Sequence, residues 1–117
     1  MISNNLFSLK GKTALVTGGS TGIGLMATVG LVSAGAKVFI VSRKLENCQN
    51  AAKELNNYGF EGEVIPFRGD LSSEAGINNI TDEIYSKNSK LHILINNAGR
   101  TWGSDLSSFP YDAWAKV

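Results

Sequence analysis

Apolar positions along the chain alternate between two rhythms. Thr13-Ala14-Leu15-Val16-Thr17 is a short, nearly continuous run bounded by Gly11 and Gly18, as in a strand covered on both faces, and is named β1. From Gly22 to Ser33 the apolar residues fall on a helical face instead, and Ala34-Gly35 supplies a glycine stop to this helix, α1. Lys37–Val41 (β2) is again continuous and β-branched. Leu45–Asn56 (α2) carries Leu45, Cys48, Ala52 and Leu55 down one side and ends at Asn57-Tyr58-Gly59. Glu63–Arg68 (β3) contains Pro66, which lacks a ladder donor and argues for an edge position. A third helix, α3, is expected to open at Asp70-Leu71-Ser72-Ser73-Glu74 and to reach about Asn88, with Ile77, Ile80, Ile84 and Tyr85 as its apolar side. Leu91–Asn96 (β4) follows. A last helix, α4, is expected to begin near Pro110, a residue favoured in a first helical turn, with Phe109, Tyr111 and Trp114 on its apolar face.

Strands alternating with helices imply an α/β domain with a parallel sheet and right-handed crossovers, in the expected strand order 3-2-1-4. That order opens a ligand crevice between the C-terminal ends of β1 and β4. Two glycine-containing stretches sit at those ends, Thr17-Gly18-Gly19-Ser20-Thr21-Gly22-Ile23-Gly24 and Asn96-Asn97-Ala98-Gly99. Strand, glycine turn and helix is the context in which such a motif can cradle an anion. The glycines permit a tight turn, close backbone approach to a phosphate and close helix packing. The helix N-terminus adds bare N–H groups and about half a positive charge. The spacing is G-x-x-x-G-x-G at Gly18, Gly22 and Gly24, not the commoner G-x-G-x-x-G. No Gly-Lys-Ser/Thr ending follows, which speaks against a Walker-type triphosphate loop. Taken alone, the stretch also suits a plain turn joining β1 to α1.

Composition narrows the partners. The 117 residues are 43% hydrophobic and 18% charged, the balance of one soluble globular domain. With a net charge of +1 and no basic block, neither nucleic acid nor an anionic membrane is suggested. No stretch approaches the ~18 apolar residues that span a bilayer, and residues 1–7 do not read as a secretory signal. Cys48 is the single cysteine, which excludes an internal disulfide and fits a reducing compartment, so a cytoplasmic location is expected. His92 has no Cys or carboxylate cluster around it in sequence, and no metal site is expected.

T-G-x-x-x-G-I-G after β1 together with N-N-A-G after β4 resembles the classical short-chain dehydrogenase/reductase family. Leu9-Lys10-Gly11-Lys12 and Asp70-Leu71 match its pattern too. The resemblance runs from about Phe7 to Val117 and implies a Rossmann-type doubly wound sheet. A narrower likeness, to 3-oxoacyl-(acyl-carrier-protein) reductases of the type associated with rhamnolipid synthesis, rests on Phe7-Ser8-Leu9, on residues 70–76 and on Thr101-Trp102-Gly103. The family resemblance implies a nicotinamide dinucleotide held at Gly18, Gly22 and Gly24, with Ser20, Thr21 and Ile23 between them as further contacts. Asp70 would hydrogen-bond the adenine amino edge beside a backbone N–H of Leu71; a cap on the following helix is the other role open to it. Asn97 would brace the sheet, while Ala98 and Gly99 let the cofactor ribose approach the backbone. Asn96 fits a purely structural role.

The end of β2 distinguishes the two nicotinamide cofactors. An NAD site places Asp or Glu there to accept from the ribose 2′-OH. This chain has Ser42-Arg43-Lys44, with no carboxylate until Glu46. A 2′-phosphate carries roughly two negative charges by analogy with phosphorylated side chains, and Arg43 can grip it bidentately. NADP (NADPH) is therefore expected over NAD; the plainer reading is that Arg43 and Lys44 are a solvated helix start.

The sequence departs from the family downstream. Reduction of a carbonyl there uses a Ser and a Tyr-x-x-x-Lys pair, the Tyr acting as acid with its pKa lowered by Lys. Neither Tyr58, Tyr85 nor Tyr111 is followed four residues later by Lys. The chain is accordingly expected to be the N-terminal, cofactor-binding half, residues 1–117, of a single domain truncated after β4, inactive alone. In the full-length protein the resemblance implies reduction of a ketone or a 3-oxoacyl substrate, or oxidation of an alcohol, and a homo-oligomer. The alternative from another class is a short non-catalytic nucleotide-binding or interaction protein. Trp102 can face substrate or pack in the core. With β4 on an open edge, the isolated polypeptide is expected to be marginally folded and prone to aggregate.

Overall fold

All five residues of β1 are buried, which places this strand inside a sheet covered on both sides. The computed structural model describes residues 6–87, 90–99, 106–108 and 110–116. In chain order they form β1 (Thr13–Thr17), α1 (Gly22–Ser33), β2 (Lys37–Ser42), α2 (Leu45–Asn56), β3 (Glu63–Arg68), α3 (Glu74–Lys87) and β4 (Ile93–Ile95). A single 3-10 turn at Leu106–Ser108 and the short α4 (Tyr111–Lys116) follow. The strands are parallel in the order β3-β2-β1-β4, so the expected doubly wound, Rossmann-like arrangement is observed. Pro66 lies on β3, the outer strand opposite Ile40 of β2, where a missing N–H leaves no central ladder broken.

Side chains alternating along each strand build two cores. On one face Ala14, Val16, Val38 and Ile40 pack with Val32 of α1 and with Cys48, Ala52 and Leu55 of α2. On the other, Leu15, Phe39, Val41 and Phe67 meet Ile80 and Ile84 of α3. Phe39 and Ile40 are neighbours in sequence, point to opposite cores and are both fully buried, each stabilising the fold by about 1.5–3 kcal/mol. Phe39 meets Phe67 edge-on at 6.0 Å between ring centroids, the arrangement aromatic quadrupoles favour.

Four expectations are corrected, two at element ends and two on helix faces. β4 covers residues 93–95 rather than 91–96; side chains take part in the bonding at both ends, although the His92 N–H still donates to the Thr13 carbonyl at 2.9 Å. The Thr13 N–H donates to His92 Nδ1 at 3.0 Å, and the Asn97 N–H donates to Thr17 Oγ1 at 2.9 Å. α3 begins at Glu74 rather than Asp70. Asp70 Oδ1 is turned onto Ser72, and Ser73 Oγ accepts the Gly76 N–H at 3.0 Å, so Ser73 caps the first turn and Asp70 does not. The apolar side of α3 is narrower than its sequence suggests: Ile80 and Ile84 are buried, while Ile77 and Tyr85 are exposed. Leu45, expected on the buried side of α2, is exposed, and Ala51 joins that side. Among the described residues no helix is long and apolar enough to cross a membrane.

Candidate functional site

At the C-terminal ends of the four strands lies an open cleft of about 680 Å³, within the size range of cofactor pockets. Four segments reach it: Gly18 and Thr21 from the turn after β1, Ser42 and Arg43 from the end of β2, residues 69–72 after β3, and Asn97–Gly99 after β4. Ala115 of α4 completes the wall.

The turn after β1 is shaped by contacts that exclude side chains. Gly18 has φ +66°, and a Cβ there would press on Asn97 Nδ2 and the Ala98 backbone. A Cβ on Gly24 would overlap the Gly18 carbonyl oxygen, so α1 can sit this close to the turn only as glycine. Thr21 caps α1 in an extended conformation without a side-chain bond to the helix. The first N–H groups of α1 thus have no side-chain acceptor at Thr21, which is the state an anion-binding helix start requires.

Thr17 ties this turn to the end of β4. Its hydroxyl accepts the N–H groups of Asn97 and Ala98 at 2.9 and 3.0 Å and donates to the Ile95 carbonyl at 3.4 Å. Asn97 Nδ2 donates back to the carbonyls of Thr17 and Gly18, both at 3.3 Å. The two glycine-containing stretches therefore form one hydrogen-bonded unit, with Thr17 only 4% exposed at its centre. Asn97 thus bonds across from the end of β4 to the turn after β1.

The other end of the cleft is charged and open to water. Asp70 Oδ1 accepts from the Ser72 hydroxyl at 2.6 Å and the Ser72 N–H at 2.9 Å. These two bonds, the hydroxyl's first, hold its carboxyl below the usual carboxylate range; the positive charges of Arg43 and Arg68 act in the same direction.

Of the expected site residues, Gly18, Thr21, Arg43, Asp70, Leu71, Asn97, Ala98 and Gly99 meet in this cleft. Ser20, Gly22, Ile23 and Gly24 do not line it. Gly24 packs beneath Gly18, Ile23 is 76% exposed, and Ser20 borders a second cavity between α1 and α2 that shares Thr21 with the cleft. Trp102 lies outside the described residues. None of Tyr58, Tyr85 and Tyr111 lines the cleft. Among the described residues no group of three or more His, Cys, Asp or Glu could hold a metal ion.

Sequence reasoning misses three residues. Thr17 is the joint of the site; its signal is a hydroxyl closing an apolar run. Gly19 leaves space filled by Ile40 and Thr28. Thr28, fully buried, hydrogen-bonds the Gly24 carbonyl at 2.9 Å and the Gly19 carbonyl at 3.2 Å. A hydroxyl in the middle of an otherwise apolar helix is the only trace it leaves.

The family model for short chain dehydrogenase matches residues 12–117. The chain belongs to the short-chain dehydrogenase family. Among curated relatives of this short-chain dehydrogenase is the rhamnolipids biosynthesis 3-oxoacyl-(acyl-carrier-protein) reductase of Pseudomonas aeruginosa, 49% identical over 111 residues. That match covers 95% of the chain and 42% of the relative. The human dehydrogenase/reductase SDR family member 11 is 39% identical over 103 residues, covering 88% of the chain and 40% of the relative. The Pseudomonas aeruginosa RhlG/NADP active-site complex superposes with a TM-score of 0.84 at 48% identity, over 95% of the chain and 42% of that structure. L-sorbose reductase from Gluconobacter frateurii, complexed with NADPH and L-sorbose, gives a TM-score of 0.84 at 28% identity over 92% of the chain and 41% of that structure. The short-chain dehydrogenase chain thus spans about two-fifths of the length of these relatives, 42% of the first and 40% of the second.

Proposed function

We propose that this chain forms the dinucleotide cleft of an NADP(H)-dependent carbonyl reductase or alcohol dehydrogenase. The observation that carries the reading is Arg43 lining the cleft at the end of β2 while Glu46 stays out of it. A carboxylate at that place would repel a 2′-phosphate; a guanidinium can pair with it through two parallel hydrogen bonds. The relatives whose structures contain NADP or NADPH support the same choice.

The residues present fit the cofactor. The α1 N-terminus and the turn at Gly18 and Gly22 would receive the pyrophosphate, with Ser20, Thr21 and Ile23 beside it and Gly24 leaving room for the turn itself. Asp70, ionised at neutral pH, would accept from the adenine amino group through the carboxylate oxygen that Ser72 does not occupy, next to the Leu71 N–H. The Thr17 hydroxyl holds the Ala98 N–H, and small side chains at Ala98 and Gly99 would leave space for the ribose. When bound, the nicotinamide supplies or accepts a hydride. The cleft residues bind and orient the dinucleotide and partly exclude water from it. A 3-oxoacyl thioester is the first substrate to assay, on the strength of the 49% identical reductase.

Titration of the intact protein with NADPH and NADH tests the cofactor. Tighter NADPH binding is expected, with Arg43→Ala weakening NADPH by about tenfold to a hundredfold, as the loss of a charge-assisted pair predicts, and leaving NADH nearly unchanged. Equal affinities insensitive to Arg43→Ala would overturn the proposal.

A further inference from the structure

Two arginines meet where β2 and β3 end. Ser42 stands opposite Arg68 in the register, so Arg68 emerges beside the Ser42-Arg43-Lys44 turn. The Arg68 Nε–H donates to the main-chain carbonyl of Arg43 at 3.2 Å. Arg43 lines the cleft, and Arg68 does not. The inner side of the turn is held by Ser42, whose hydroxyl accepts the Lys44 N–H at 3.2 Å and donates to the Lys44 carbonyl at 2.9 Å. Buried Cys48 lies behind that hydroxyl, with Sγ at 3.4 Å. The outer side is held by Arg68.

We infer that Arg68 is a positioning residue for cofactor selection: by tethering the Arg43 backbone it keeps the Arg43 guanidinium at the cleft, where the 2′-phosphate of NADP would lie. The inference rests on the cofactor reading above. Arg43 is exposed, and a free arginine side chain carries considerable rotamer entropy. Anchoring its carbonyl removes backbone freedom before the ligand arrives, which lowers the ordering penalty of binding. Only a ligand that uses Arg43 benefits. Arg68 also adds positive charge behind the turn, felt by Asp70 together with that of Arg43. That field is screened over about 10 Å at 0.1 M salt and acts on both cofactors through their shared pyrophosphate. The tether, in contrast, separates NADP from NAD.

The test is calorimetric titration of the intact protein with NADP and NAD in four forms: native, Arg43→Ala, Arg68→Met and the double variant, each with a thermal melt. Arg68→Met should raise the Kd for NADP about threefold to tenfold, as loss of one hydrogen bond predicts, and change that for NAD less than twofold. In the Arg43→Ala background the same change should do almost nothing to either, because Arg68 acts through Arg43. Arg68→Gln is the second neutral variant and should follow the same pattern if Arg68→Met folds poorly. An equal loss for both cofactors, or an undiminished loss in the Arg43→Ala background, overturns the tether. A native NADP preference that Arg43→Ala removes and Arg68→Met leaves untouched overturns the tether alone. No native preference at all overturns the cofactor reading, and the tether with it.

Discussion

The two ends of the cleft are held by different physics. At the β1–β4 end, Thr17 and Thr28 are almost fully buried, and their hydroxyls, with the Asn97 amide, satisfy backbone groups of both glycine stretches. At the β2–β3 end, Arg43, Arg68, Asp70 and Ser72 are all exposed and bonded in two pairs, Arg68 to the Arg43 carbonyl and Ser72 to Asp70. A buried hydrogen bond is costly to break because water cannot replace the lost partner; an exposed one costs less, because solvent replaces part of it. The first end therefore holds the turn itself together, and the second, on the cofactor reading proposed above, sets which dinucleotide is preferred. Selectivity can change by substitution at the rim without endangering the sheet.

The sharpest way to break this contrast is Thr17→Val. It keeps the volume and strands the Asn97 and Ala98 N–H groups without an acceptor, so unfolding in urea should show a loss of about 2–4 kcal/mol together with lost dinucleotide binding. Wild-type stability in that variant would mean the two glycine stretches are not one unit. Gly24→Ala comes next. Its Cβ meets the Gly18 carbonyl, and forcing the helix away should lower stability by about 1–3 kcal/mol and weaken binding of both cofactors alike. A loss confined to NADP would contradict the division drawn between the ends.

The smallest effect is expected at Asp70, which is fully exposed. Because its pKa is lowered in the folded chain, its contribution is present above the ordinary value of 3.8 and is lost as pH falls through the lower, folded value. The turn should accordingly be insensitive to pH from neutrality down to about 5 and open only in acid. Following the Asp70 carboxyl carbon by NMR, Ser72→Ala should move the midpoint up toward 3.8, since the Ser72 hydroxyl is its largest stabilising partner. A midpoint unmoved by that change would assign the shift to the Ser72 N–H and the arginines instead.

Much of the architecture is legible from the chain. β1, α1, α2 and β3 begin and end where their periodicity and glycine stops place them, because strand and helix rhythms differ and glycine interrupts both. The errors fall where a side chain competes with the backbone. His92 and Thr17 take bonds that a longer β4 would have made, and Ser73 takes the cap that Asp70 was open to. Ile77 and Tyr85 belong to the right helix but overhang the narrow stripe that reaches the sheet. Of the site, the members with a distinctive motif were readable, and the supports were not: Thr17, Gly19 and Thr28 matter for what they touch, and a hydroxyl beside apolar residues is too faint a pattern to say what that is.

Sequence alone determined the alternation of strands and helices, the parallel order with its crevice, the two glycine stretches and the basic end of β2. Those depend on local periodicity, chirality and charge, which neighbouring residues encode. Only the tertiary structure decided that Arg68, twenty-five residues from Arg43 in sequence, hydrogen-bonds its carbonyl. It alone decided too that Thr17 joins β1 to a segment some eighty residues away. Such bonds follow from which strands lie side by side and in what register, and folding sets that register only when both sheet faces are buried at once.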